Sequence, residues 1–552
     1  MKKLSFVDAG FLLTESREMP MHVGGVSLYT LPDGVDEQEF LHELASNLRD
    51  ADRLVPPFGD HLKTGRLGLA GSAYWEPDAA LDMDYHIRHS ALPKPGRYRE
   101  LFNLVSRLHG TLLDRNRPLW EMHVIEGLRD RQFAVYSKTH HAAVDGARAI
   151  HLTRSMLSAD PDFRLDESPL SLNSWEKYRN SLTLGKRPEF TEEEVRNVAD
   201  RLKATFDSST NVFQALRGFT RAWTGRGGAL RVPHMQVPRS SLNTSIDGAR
   251  RFVAQTWPFD RLRTVAKAFD GTFNDAVLAM AAGALRKYLQ LHAELPDESL
   301  KAMVPVSIRQ KGDIDSSNAI AAISADLATN IADPVKRFAA IQASVHAGRA
   351  LYQGMAPSEV QLFALAMQAP SMLLMPLGLA SKLPPYNTVI SNVPGIQEPM
   401  YWNGARMNGS YPLSIVTDGI ALNITLLTYD KQVDFGIIAC RRSVPQVQRL
   451  IDYMEDALVE LEEAAGISGG KKPAGKPGRK APKTANTTKA ASAKKTKART
   501  QTKSAKKPAG KTKVTPKPKA KSQTKTKTKP QKRVKSKAAS RPKSQPRNTR
   551  RD

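Results

Sequence analysis

The spacing of apolar positions changes several times along the chain, and each change marks a boundary. In residues 1–160, HVGGVSLYTL (22–31) and QFAVYSKTH (132–140) read as strands, whereas QEFLHELASNL (38–48) and RELFNLVSRLHGTLL (99–113) repeat their apolar residues every three or four, the period of a helix. A mixed α/β lobe is expected there. Residues 161–245 turn polar, with scattered Pro and Gly and one predicted helix starting near Thr191, and read as a connection that is part helix and part loop. A second α/β lobe is expected over 246–466, with RFVAQTWPF and KAMVPVSIR as strands and TFNDAVLAMAAGALRKYLQLH as a long helix. ASVHAGRALYQG continues it as a helix, YNTVISNVPG as a strand running into a turn, and ALNITLLTYDKQVDFGIIA as a hairpin around Asp430. VPQVQRLIDYMEDALVELEEAAG is the closing amphipathic helix. Two lobes of one strand-and-helix style hint at a pseudo-duplicated architecture.

Charge alters this picture at one end only. The 552 residues carry 82 Lys and Arg against 55 acids, a formal net charge of +27 that invites a nucleic-acid reading. Residues 471–552, however, hold 31 of the basic residues against Asp552 alone, leaving 51 against 54 acids in residues 1–470, a net of −3. The chain is a near-neutral body with a polycationic tail, residues 467–552. Beyond Ile467 the tail has no aromatic residue, no Leu, Ile or Met, and only Val514 and Val534 as larger aliphatics, so it cannot bury enough apolar surface to offset ordering and is expected to be disordered. Such a tail fits any polyanion. An anionic membrane or lipid-inclusion surface and nucleic acid are both among them, each met through the tail alone.

Cys440 is the single cysteine, which excludes an intrachain disulfide framework and a cysteine-clustered metal site and favours a cytoplasmic protein. Asp8 interrupts what would be the apolar core of a cleaved leader. Residues 360–381 are uncharged and long enough to cross a bilayer, but Pro370, Pro376 and Gly378 favour a broken helix, buried or facing lipid. Peripheral association with the inner membrane or with lipid inclusions is expected.

The chemistry concentrates in FAVYSKTHHAAVDGARAIHLTRSML (133–157). A β-rich run leads straight into His140 and His141, Asp145 and Gly146 follow, and helical periodicity begins immediately after. The histidines therefore sit where a strand ends and a helix approaches, a rigid place from which a side chain can project into a cleft. Gly146 suits a tight turn, and Asp145 can lock the loop through hydrogen bonds or an arginine. An imidazole is the natural general base near neutral pH. A metal half-site of His140, His141, Asp145 and His151 is an alternative, although adjacent strand residues point to opposite faces. Two core histidines satisfied by backbone groups are the plainer one. Cys440 follows the apolar run FGIIA, where a buried small hydrophobe is the usual role, and no GxSxG elbow occurs, so a covalent route has no evident nucleophile.

HHAAVDG (140–146) resembles the HHxxxDG motif of the CoA-dependent acyltransferase superfamily, which includes chloramphenicol acetyltransferases and peptide-synthetase condensation domains. It also contains the HxxxxD of glycerolipid acyltransferases, which lack the second histidine. PLW at 118–120, the Asn274–Asp275 pair, NVPG at 392–395, the opening LSFVDAGFLLTE and DYHIRHSALPKPG at 84–96 are together similar to the bacterial wax ester synthase/diacylglycerol acyltransferase family over residues 4–460. The resemblance implies two α/β lobes, chloramphenicol acetyltransferase-like, with a tunnel between them. Acyl-CoA would enter from one side and a fatty alcohol or diacylglycerol from the other, giving wax esters or triacylglycerol, with acyl-CoA as a substrate and no cofactor. It implies His141 as general base, His140 and Asp145 as the elements shaping the loop, and an arginine from the other lobe facing Asp145, for which Arg309 is the candidate. Asn274 and Asp275 would cap a helix or shape the cleft, and Asn392, Gly395 and Trp120 would border the tunnel, although packing is the plainer role for Trp120. The alternatives are a non-catalytic polyanion- or granule-binding protein acting through its tail, and an acyltransferase for another small acceptor.

Overall fold

The computed structural model describes residues 2–65, 68–144, 146–182, 217, 221, 237–307, 320–353, 355, 359–360, 363 and 379–467. The chain divides into two units, Met1–Ala474 and Gly475–Asp552, and every described residue lies in the first. The basic tail, the helix expected near Thr191 and most of the uncharged 360–381 segment lie outside the described residues. No helix among the described residues is long and apolar enough to cross a membrane.

In chain order the first half supplies β1 (Lys2–Lys3), α1 (Phe6–Thr14), β2 (His22–Thr30), α2 (Glu37–Arg49), β3 (Asp60–Gly65) and β4 (Gly68–Pro77). It continues with α3 (Met83–His86), β5 (Ile87–Ala91), α4 (Tyr98–His109), β6 (Trp120–Glu126), β7 (Gln132–His140), α5 (Gly146–Ser155) and α6 (Leu172–Ser181). The second half supplies β8 (Arg250–Pro258), β9 (Lys301–Ser307), β10 (Ile320–Asp326), β11 (Thr388–Ile396), β12 (Tyr401–Trp402), β13 (Ala405–Leu413), β14 (Leu422–Tyr429) and β15 (Gln432–Cys440). Its helices Phe259–Ala268, Phe273–Leu291, Pro334–Ala350 and Arg449–Ala464 are named here by their bounds.

Local chemistry explains the main elements. Asp36 caps α2 by accepting from the Gln38 and Glu39 N–H groups, and Leu41, Leu44, Ala45 and Leu48 form its buried stripe. All eight residues of β14 are buried, as suits a strand held between a parallel neighbour, β11, and an antiparallel one, β15. The helix Phe273–Leu291 is buried all round from Ala276 to Leu285, and at Gly283 a methyl group would come within 2.7 Å of Ala457 Cβ. Only glycine lets the C-terminal helix lie that close.

The strands form two six-stranded mixed sheets, ordered β12-β13-β2-β7-β6-β5 and β10-β9-β11-β14-β15-β8, beside a small sheet β1-β4-β3. The sequence partition at residue 246 does not hold strand by strand. β13, from the second half, pairs antiparallel with β2 from Arg406↔Thr30 to Leu413↔Gly24 and so completes the first sheet. The expected turn at NVPG is also a strand: β11 runs on to Ile396 beside β14, with an irregularity between Val393 and Ile396. One apolar core is shared by both sheets, with Val26, Leu28 and Tyr136 from the first meeting Phe252, Phe435 and Ile437 from the second. Asp434 of β15 also bridges the sheets, accepting from the Ser410 N–H of β13 at 2.8 Å and the Thr256 hydroxyl of β8 at 2.5 Å.

Candidate active site

β7 is flanked on both sides, by β2 and β6, so its C-terminal end is held rigidly. There the two histidines part. The His140 N–H donates to Leu119 O at 2.9 Å, which ties the PLW segment to the loop, and the His141 N–H donates to Met21 O at 2.9 Å.

The His140 ring is fully buried. Its Nδ1 accepts from the Ala142 N–H at 3.1 Å and its Nε2 lies 3.4 Å from Glu15 Oε1. This network assigns the proton to Nε2, and a second proton on Nδ1 would displace the Ala142 donor. His140 is thereby a fixed strut. His141 is half-buried, and its ring stacks on Phe11 of α1 with centroids 4.2 Å apart and planes 13° apart, which fixes the imidazole plane.

Glu15, which the sequence reading passed over, organises this corner. It stands at the C-cap of α1, its side chain is 3% exposed, and besides His140 it accepts from the Met21 N–H at 3.1 Å and from Arg115 at 2.9 and 3.1 Å. Burial would raise the Glu15 carboxyl, but His140, the Met21 N–H and Arg115 outweigh it and hold it below its usual value. One carboxylate thus grips His140 directly and His141 through residue 21. Phe11, Met21 and Arg115 were equally unmarked. The only available signal was that Phe11 and Glu15 lie in or at the edge of the opening motif, LSFVDAGFLLTE.

A second polar tier lies behind the loop. Lys138, 1% exposed, donates to Leu108 O and Thr111 O at 3.2 and 3.0 Å and pairs with Glu121 at 3.2 Å. Burial opposes the Glu121 charge, yet His123, Lys138 and Arg88 bring its pKa down to about 2. His22, opposite His140 in the sheet, bonds His109 O at 2.6 Å, and burial, assisted by the His109 and Lys138 charges, holds its pKa well below normal.

The other expected site residues divide. Asp145 and Arg309 lie outside the described residues. Gly146 opens α5, where a methyl would sit 4.0 Å from Val393 Cγ2, so the histidine loop and NVPG are neighbours across the two sheets. Asn392 is half-buried on β11. Gly395 is required by packing: a methyl there would come within 1.9 Å of Thr428 O, and its N–H donates to Thr428 Oγ1 at 3.1 Å. Asp275 takes the capping alternative, its carboxylate accepting from the Thr272 N–H and hydroxyl at 2.8 and 2.7 Å, with Asn274 half-buried beside it. The Trp120 indole belongs to the core, donating to Phe58 O at 2.7 Å and stacking on His86 at 4.5 Å. The PLW segment serves the loop through the Leu119 carbonyl instead. His151 bonds the Tyr178 hydroxyl at 2.9 Å, Cys440 is buried with Sγ 3.4 Å from Asp247, and no cluster able to hold a metal occurs among the described residues.

A family model described as the wax ester synthase/diacylglycerol acyltransferase catalytic domain matches residues 4–277, and one described as the WS/DGAT C-terminal domain matches residues 316–462. A probable diacylglycerol O-acyltransferase of Mycobacterium tuberculosis is 43% identical over 463 residues, 83% of this chain and 98% of the relative. The O-acyltransferase WSD of Acinetobacter baylyi is 38% identical over 467 residues, 84% of this chain and 97% of its own length. Among solved structures, the wax ester synthase/diacylglycerol acyltransferase from Marinobacter aquaeolei superposes with a TM-score of 0.66 at 38% identity, covering 84% of this chain and 100% of that one. A condensation domain of the calcium-dependent antibiotic synthetase superposes at 0.52 with 15% identity over 84% of this chain and 96% of its own, a likeness of fold alone.

Proposed function

Because the chain belongs to the wax ester synthase/diacylglycerol acyltransferase family and is therefore an acyl-CoA-dependent acyltransferase making wax esters or triacylglycerol, we propose that His141 is its general base. The hydroxyl of a long-chain alcohol or diacylglycerol gives its proton to the His141 imidazole as its oxygen forms a bond to the thioester carbonyl carbon. The tetrahedral adduct collapses, the carbon–sulfur bond breaks, and the CoA thiolate takes the proton back. A thioester is already activated and its thiolate leaves readily, so one positioned base suffices without a covalent enzyme intermediate or a cofactor.

The observation that carries this reading is the contrast between adjacent rings. His140 is sealed, with Nδ1 accepting from the Ala142 N–H and Nε2 3.4 Å from the Glu15 carboxylate, while His141 sits half-buried at the strand end with its plane fixed by Phe11. Release of CoA from palmitoyl-CoA with hexadecanol tests it. His141→Ala is expected to lose roughly 10²–10⁴-fold in turnover, the usual worth of a positioned base; an unaltered rate would refute the assignment.

For the tail we infer adhesion of the enzyme to an anionic membrane or lipid-inclusion surface in the cytoplasm, from 31 basic residues opposed by one acid. A chain ending at residue 467 is expected to keep turnover on dispersed substrate and to lose binding to phosphatidylglycerol vesicles. Retained vesicle binding would rule this out.

A further inference from the structure

We propose that an arginine cluster where α4 meets β8 and β15 binds the phosphate groups of the coenzyme A half of the thioester, an inference that rests on the acyl-CoA reading above. On α4, Arg99, Asn103 and Arg107 follow one another at intervals of four, so they share a face, and all three are exposed. Arg251 of β8 donates to the Asn103 side-chain Oδ1. Arg251 faces Ala439 of β15 in register, and the Arg441 N–H donates to Ala249 O at 2.9 Å. Arg441, two residues beyond Ala439, therefore projects on the same side as Arg251, as its diagonal neighbour. Burial, then the nearness of Arg441 and Arg99, lowers the pKa of the Arg251 guanidinium.

The acids beside this cluster are already engaged: Glu100 pairs with Arg97 at 2.8 Å and Asp247 with Arg442 at 3.7 Å. Among the described residues Arg99, Arg107, Arg251 and Arg441 form no ion pair. Arg251 and its arginine neighbours Arg99 and Arg441, gathered without counter-charge on a body whose net charge is −3, repel one another until an anion joins them, and Arg107 extends the same helix face. Planar, fork-shaped donors suit phosphate oxygens best.

Position selects the ligand. Arg250, next in chain to Arg251, donates to Glu18 O at 2.7 Å, and Met21 O holds the His141 N–H. Residues 18 and 21 are three steps apart, at most about 11 Å. The strand that bears Arg251 is thus tied, through Arg250 and residues 18–21, to the loop that holds the proposed base, and in this assignment the pantetheine arm runs along that interval with its diphosphate and 3′-phosphate on the arginines.

The test compares kcat/KM for palmitoyl-CoA and for S-palmitoyl-pantetheine, which lacks the nucleotide phosphates, with hexadecanol as acceptor, in the full chain and in the Arg99→Glu/Arg441→Glu variant. The preference for the CoA thioester is expected to fall roughly tenfold, the upper end for two exposed ion pairs, and Arg99→Lys/Arg441→Lys is expected to recover part of it. An undiminished preference, or an equal loss on both thioesters, would overturn the assignment. So would a variant that keeps its preference but no longer binds phosphatidylglycerol vesicles, which would give the cluster to a lipid surface. A wild-type chain that consumes neither thioester would instead sink the acyl-CoA reading on which the inference rests.

Discussion

The two six-stranded sheets have equal numbers of strands, but the buried histidines among the described residues all gather around the first. Around the first, His22, His86, His109, His123, Glu121 and Lys138 are each no more than 5% exposed. Around the second, the helix Phe273–Leu291 offers ten consecutive buried residues without a polar side chain, from Ala276 to Leu285. Buried charges are costly unless paired, and replacing them by apolar groups often stabilises a protein. Their concentration beneath β7 is therefore best explained by what β7 carries: the polar tier clamps the strand whose end presents the histidines. The apolar helix supplies cohesion, and the polar tier trades cohesion for orientation.

Substitutions on either side can break that contrast. Lys138→Met leaves Glu121 buried beside fewer partners and is expected to cost about 3–5 kcal/mol in urea unfolding, with turnover per folded molecule also reduced. Leu285→Ala in the apolar helix is expected to cost about 2–5 kcal/mol while turnover per folded molecule stays at the wild-type level. Should both variants lose activity alike, the division of labour is wrong.

A smaller effect sharpens the role of the first lobe. Glu15→Gln keeps the shape of the side chain and removes the charge that Arg115 and the His140 ring meet. Its kcat is expected to fall roughly tenfold, the worth of about 1.4 kcal/mol, with both KM values nearly constant. A change confined to KM would mean that Glu15 serves binding alone.

The finest distinction is in pH dependence. Glu121 is held at about 2 against an ordinary 4.5, so its stabilisation is complete above pH 4.5 and is lost as pH falls toward 2. Asp434, between the sheets, is raised by burial to about 6 from 3.8, despite the Thr256, Ser410 and Gln432 donors. The native state then binds the proton more tightly, so stability declines as pH rises from 3.8 through about 6. Urea midpoints for Asp434→Asn across this interval should lack that decline, whereas an identical profile would assign it to other groups.

Much of this was legible before any coordinates. The run ending at His140 reads as a strand that leads into the histidine motif, and the stretch after Thr272 reads as one long helix. What escaped depends on distant partners. Nothing local tells that ARMNGSYPL will pair with β2, more than 370 residues earlier, since register is written in neither strand alone. Glu15 is an ordinary acid until folding brings Arg115 and His140 to it, one hundred residues and more along the chain. The NVPG segment read as a turn from its proline and glycine, yet Gly395 is there for a close carbonyl and leaves the strand intact.

The placement of β13 also sets a timetable for synthesis. A ribosome that has completed β7 must add 273 further residues before Leu413 emerges, roughly a quarter of a minute to a minute at ordinary elongation rates. Throughout that interval β2 offers a bare row of backbone donors and acceptors, an invitation to any strand nearby. The nascent N-terminal half is thus exposed to wrong pairing until a late-made segment arrives to close it.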